Sequence, residues 1–211
     1  MSFSLNQIDE YMLALIVNAR ELLRESEVLF ENKAFARSYT LAHIAREEIA
    51  KCKILYAAGR RLASGIEVDW KLTMKRLRDH KSKLRQETVE NSILAAMQGD
   101  EEGFENIIGG APDSSEKRND DKNNSLYVGI SADGKISLPN KVIDKVLAER
   151  NIQLACYAID EETSFQNKMG RLSVMKLENI SDISSVDNMS IEDKKALIKN
   201  LASVLVKHSG R

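Results

Sequence analysis

Two long stretches of helical periodicity, residues 4–31 and 34–63, are separated only by Glu-Asn-Lys-Ala at residues 31–34. So short a connection makes consecutive helices antiparallel neighbours, and a helical hairpin is the least this chain can fold into. In the first stretch Ile8, Met12, Leu15, Ala19, Leu22 and Leu29 recur at three- to four-residue spacing, with Ile16, Leu23 and Phe30 beside them. Ser4 followed by Gln7 predicts a capping box at its start. In the second stretch Leu41, Ala42, Ala45, Ile49, Cys52, Leu55 and Tyr56 fall on one arc. Two prolines and ten glycines in 211 residues, with 30% charged and 5% aromatic residues, favour long helices over a strand-rich sandwich or barrel.

The pattern changes beyond Ala63. Residues 64–69, SGIEVD, interrupt it, after which Trp70, Met74, Leu77 and Leu84 predict a third helix, continued more weakly to about residue 98. Residues 109–125, GGAPDSSEKRNDDKNNS, lack periodicity and predict a mobile loop. LYVGISADGKISLP then predicts two short strands joined around Asp133-Gly134, a hairpin over about 126–138. A lone two-stranded hairpin is marginally stable, so it should lie against the helices. Helical periodicity resumes over 140–168 through Val142, Ile143, Val146, Leu147, Leu154, Tyr157 and Ala158, and Ser190, three residues before Asp193, caps a final helix to about 207. The expected fold is mostly α: an antiparallel helical bundle with a small β-hairpin and additional C-terminal helices. Residues 1–168 form the main domain, and 169–211 a linker and helix packed on the bundle or on a partner subunit.

A formal charge of −1 removes any whole-protein electrostatic argument for nucleic acid or membrane binding. With no apolar run near the length of a membrane span, the expectation is a cytoplasmic protein without membrane association. Cys52 and Cys156 are isolated, fit no zinc pattern and are expected in the core. Neither a P-loop nor a dinucleotide-binding glycine pattern occurs, and no glutamate has a histidine three residues on, so no metal and no cofactor is expected.

Three features carry chemistry. Glu48 falls inside the apolar arc of the second helix, where a bare carboxylate would cost several kcal/mol in desolvation and so demands partners. Residues 71–85 hold Lys71, Lys75, Arg76, Arg78, Lys81, Lys83 and Arg85 against the single acid Asp79. Such a run is ordinarily a solvated face. Packed antiparallel to the second helix, it would bring Lys83 or His80 towards Glu48, with Glu47 and Lys51 close by, and such groups perturb one another's pKa values. Arg37 and His43 form the third feature. They point about 120° apart on one helix, with His43 in line with Glu47 and Lys51, so they could share a site only through a second subunit or a phosphate gripped by Arg37.

Together, NARELLRESEVLFENKAFARSYTLAHIAREEIAKCKIL, the later DHKSKL and SLYVGISADGKISLP resemble the AbiV abortive-infection proteins, a branch of the HEPN superfamily, over roughly residues 10–150. EEIAK matches the E-E-I/L-G/A-K helix of that family, HKSK its H-x-x-K, and LYV the start of its post-loop segment. The resemblance implies a HEPN-like bundle that dimerises, and a phage-defence toxin awaiting a phage-encoded activator. It further implies a metal-independent ribonuclease using an arginine and histidine spaced as Arg37 and His43 are. On that reading Arg37, His43, Glu48 and His80 are the catalytic candidates, and Lys51, Lys83, Arg76 and Arg78 the candidates for holding RNA phosphate. The alternative is a non-catalytic HEPN module that binds a phage or host protein or ribosomal RNA.

Overall fold

The first helix, α1 (Leu5–Glu31), begins at the predicted capping box: the Gln7 amide donates to Ser4 Oγ at 3.3 Å and the Ser4 amide to Gln7 Oε1 at 2.9 Å. The computed structural model describes residues 2–80, 82, 83, 87, 88, 92, 96, 100, 102, 104, 107, 120–130, 133–174, 190, 192, 193, 195, 196 and 199. After α1 the chain reverses through Lys33, which takes a positive φ of 60°, into α2 (Phe35–Ala63). The two pack along their lengths, the small Ala19, Ala42 and Ala45 sharing a buried cluster with Ile8, Met12, Leu15, Ile49, Cys52 and Leu55. At the turn end of this seam the buried Ser26 hydroxyl donates to the Ser38 carbonyl at 2.7 Å.

A third helix, α3 (Trp70–Arg78), stops earlier than the periodicity predicts. Asp79 adopts an extended conformation and its carboxylate accepts from the Ser82 amide at 2.8 Å, so the residue ends one helix and caps the next. Helical geometry resumes at His80, Ser82, Lys83, Glu87, Thr88 and Ser92. Leu84, Arg85 and Lys81 lie outside the described residues, as do 109–119 of the predicted loop, 175–189, and the end of the final helix with His208.

Residues 120–125, predicted as part of a mobile loop, belong to a helical turn spanning 120–126. It is fixed to α2 by side chains: Ser125 Oγ lies 2.7 Å from Thr40 Oγ1, and Arg37 donates to the Leu126 carbonyl at 2.9 Å. The hairpin follows, β1 (Gly129–Ile130) pairing antiparallel with β2 (Ile136–Ser137) in the register Gly129–Ser137 and Ile130–Ile136. Gly134 supplies the positive φ of 80° that the turn needs. Contrary to expectation, the Val128, Ile130 and Ile136 side chains are exposed, so they are not buried against the helices.

Pro139 opens a single turn, α4 (Pro139–Val142), and Asp144 caps α5 (Lys145–Met169) through the Leu147 amide at 2.8 Å. The face that α5 buries differs from the predicted one. Ala148, Asn151, Ala155, Ile159 and Glu162 turn inward, while Val146, Leu147, Leu154 and Tyr157 are exposed. Cys156, one residue round from Ala155, is likewise exposed and not in the core, whereas Cys52 is fully buried. Alanines let α5 approach α2 closely, and its buried polar residues find partners there: Asn151 Nδ2 donates to the Tyr39 carbonyl at 2.7 Å, and Glu162 meets Lys53 Nζ at 2.9 Å. Past Gly170 the 3₁₀ turn Leu172–Val174 folds back, its Leu172 and Ser173 amides each donating to the Asp9 carboxylate at 3.0 Å. Ser190 caps the final helix as predicted, accepting from the Asp193 amide at 3.1 Å. Among the described residues no helix is long and apolar enough to cross a membrane.

Candidate functional site

Helix α2 has two buried sides. One arc, Ala42, Ala45, Ile49 and Cys52, meets the apolar core, and a second carries Tyr39, His43, Arg46, Glu47, Ala50 and Ile54. The second arc places a carboxylate in the interior, and it is Glu47, not Glu48. Glu47 is 5% exposed and gathers groups from three directions. His80 Nδ1 lies 2.8 Å from both carboxylate oxygens, Lys83 Nζ donates to Oε2 at 2.6 Å, and Lys122 Nζ sits 3.6 Å from Oε1. One turn back on α2, His43 Nε2 is 3.4 Å from Oε1. Burial by itself would raise the Glu47 pKa. The contacts of His43 and Lys83, the Lys83 charge and the His80 hydrogen bond outweigh it and hold the carboxyl well below the usual carboxylate range.

His43 is sealed behind this carboxylate, stacked on Tyr39 at 6.2 Å between ring centroids; its Nδ1 has no hydrogen-bond partner among the described residues, and its Nε2 has the 3.4 Å approach to Glu47. Desolvation lowers its pKa despite the neighbouring Glu47, which favours the neutral ring. Beside it, Arg46 Nε donates to Glu87 Oε1 at 3.0 Å, a second nitrogen of the same guanidinium reaches that oxygen, and a third bonds Asn151 Oδ1. Asn151 continues the chain to the Tyr39 carbonyl, tying α2 to α5 and to the residues after Asp79. His43, Arg46, Glu47, Ala50, Lys83 and Glu87 close on one another without room for a water molecule. His80, its side chain 52% exposed, is where the group meets solvent. Its Nδ1 faces Glu47, so Nε2 is the ring nitrogen turned away from the carboxylate.

The sequence candidates therefore divide. His43, His80 and Lys83 converge on one carboxylate. Glu48 does not join them: it is half-buried at the edge of the apolar arc and pairs with Lys51 of its own helix at 2.5 Å. Arg37 is exposed and bonded to the Leu126 carbonyl. Arg76 and Arg78 lie on α3, before the Asp79 break, Arg78 bordering an open groove with Asp69, Trp70 and Lys75. Arg46, Glu87, Lys122 and Asn151 were not singled out by sequence reasoning, and Glu47 entered it only as a neighbour of Glu48 and His43, not as the central carboxylate. The signal for Glu47 was present in its four-residue spacing from His43. Among the described residues no cluster of three or more histidine, cysteine, aspartate or glutamate side chains is spaced to hold a metal ion.

Fold and site together define a helical-bundle protein with an ionised carboxylate locked between imidazoles and amines at its polar centre. The HEPN-type family model described as AbiV matches residues 7–158, a span that contains every residue of this group. The chain belongs to the AbiV family of HEPN abortive-infection proteins. No curated protein matches it, and no solved structure does.

Proposed function

We propose that the protein is a phage-defence toxin that cuts RNA without a metal, with His80 as the acid–base residue and Glu47 as the group that orients it. The observation that carries this reading is a half-exposed imidazole whose Nδ1 is pinned 2.8 Å from both oxygens of a buried carboxylate. A carboxylate so placed fixes the tautomer and stabilises the imidazolium formed when Nε2 takes a proton. RNA brings its own nucleophile. His80 Nε2 removes the 2′-OH proton, the 2′-oxygen bonds to phosphorus, the bond to the 5′-oxygen breaks, and that oxygen takes a proton from the same residue of a second copy in a homodimer. Products are a 2′,3′-cyclic phosphate and a 5′-hydroxyl end. Arg37, Lys51, Arg76 and Arg78 supply cations for the phosphates, Lys83 keeps Glu47 ionised, and His43 packs behind it.

Purified protein incubated with total RNA, with and without EDTA, tests this. The wild type should produce discrete 5′-hydroxyl ends in both conditions, and His80→Ala none while keeping its thermal unfolding temperature. Cutting by folded His80→Ala at the wild-type rate overturns the assignment. The closed packing around Glu47 favours a second reading, a non-catalytic module in which the group fixes bundle geometry and the basic run grips a protein or ribosomal RNA. Salt-sensitive RNA binding without new ends would favour it.

A further inference from the structure

We infer that the helical segment 120–126 is a detachable latch over one strip of α2, and that its position sets whether the Arg37 guanidinium and the Glu47 carboxylate exchange their present partners in that segment for a ligand. The strip is defined by three residues. Arg37, Thr40 and Glu47 lie within about 80° of one another around α2, on the side that continues to His43. Each is engaged by the same short segment: Arg37 Nη1 donates to the Leu126 carbonyl at 2.9 Å, Thr40 Oγ1 meets Ser125 Oγ at 2.7 Å, and Lys122 Nζ stands 3.6 Å from Glu47 Oε1. Ser125 is completely buried beneath the segment, its hydroxyl also within 2.6 Å of the Lys122 carbonyl.

These contacts are polar. Among the described residues none of 120–128 belongs to either apolar core cluster. Segments held mainly by polar contacts open more often than segments held by buried apolar area, because water replaces the lost partners. Opening has a defined chemical result. The Arg37 guanidinium exchanges a backbone carbonyl for solvent or an anion, Lys122 leaves Glu47, and the strip between Arg37 and Glu47 becomes accessible. With the latch closed, Arg37 is committed to the carbonyl end of a helix, a favourable place for a cation. Regulation of the RNA-cutting site rests on the reading above; the opening itself does not.

Ser125→Cys in a Cys156→Ser background tests the opening, with the native Cys52, fully buried in the apolar core, as an internal gauge of global unfolding. Under native conditions a small thiol reagent should modify Cys at 125 at least about tenfold faster than Cys52, and adding Arg37→Ala should widen the gap. Equal rates at the two thiols would overturn the latch. Should the cysteine variant fail to fold, hydrogen exchange on the otherwise unaltered chain answers instead: Arg37→Ala should accelerate exchange in 120–128 and leave α1 unchanged, and no acceleration overturns the proposal. Regulation is tested by the disulfide pair Thr40→Cys, Ser125→Cys, also with Cys156→Ser. Oxidation should abolish RNA cutting and reductant restore it; full cutting by the oxidised protein overturns the regulatory role. If the wild type cuts no RNA, the ribonuclease reading fails while the labelling contrast still decides whether the segment opens.

Discussion

Glu47 and Glu48 are chemically identical neighbours with different surroundings, and their substitution should separate the two kinds of ion pair. Glu48 and Lys51 pair along one helix, with side chains 12% and 19% exposed, so a Lys51 that loses its partner can still extend its amine to water. Glu48→Ala should therefore destabilise the protein less than Glu47→Ala. Glu47→Ala removes the carboxylate that faces the buried Lys83 at 2.6 Å, with no other such pair to that amine among the described residues. A loss of about 3–5 kcal/mol is expected. Urea unfolding of the two variants beside the wild type measures both. A deficit confined to Glu48→Ala would mean that the carboxylates have been assigned the wrong way round.

Elements with local chemical punctuation were legible in the letters, and elements chosen by tertiary pairing were not. Ser4 with Gln7, Ser190 with Asp193 and the Asp133-Gly134 turn are local devices, and each stands where the sequence places it. The buried face of α5 is different. Ranking its residues by hydrophobicity selects Val146, Leu147, Leu154 and Tyr157, yet Asn151 and Glu162 go inward because Tyr39, Arg46 and Lys53 await them. The site shows the same limit. Periodicity finds one apolar arc, whereas α2 buries two, and reading the carboxylate against the first arc alone shifts it from Glu47 to Glu48. Asp79 is a local device that the basic run around it obscured. Because it caps the helical residues bearing His80 and Lys83, Asp79→Ala should cost about 1 kcal/mol. Asp79→Asn and Asp79→Ser, which retain a capping oxygen, should recover most of it. A thermal melt series decides, and equal destabilisation by all three would remove the cap as the cause.

For the whole molecule, the polar centre makes folding a proton-linked equilibrium. His43 is held neutral by burial, with its pKa below the ordinary 6.5, while facing Glu47 and Arg46 on its own helix and Glu87 across from it; Lys83, Lys122 and His80 complete the surroundings of Glu47. An unfolded chain takes up the His43 proton more readily than the folded one. The contribution of this residue to stability is accordingly complete above pH 6.5 and is lost as pH falls towards its folded value. Glu47, with its pKa depressed below the ordinary 4.5, acts in the same direction only in stronger acid. Between pH 7.5 and 5.5 the wild type should therefore lose stability as pH falls, with a slope owed to His43. His43→Phe should remove that part of the slope, keeping the ring stack on Tyr39 while eliminating the buried imidazole, whose Nδ1 has no hydrogen-bond partner among the described residues and whose Nε2 contact with Glu47 is lost. Denaturant midpoints across that pH range, compared between the wild type and His43→Phe, measure the difference. Parallel curves would show that His43 takes up a proton as easily in the bundle as in water, and the sealed imidazole behind Glu47 would then have to be solvated.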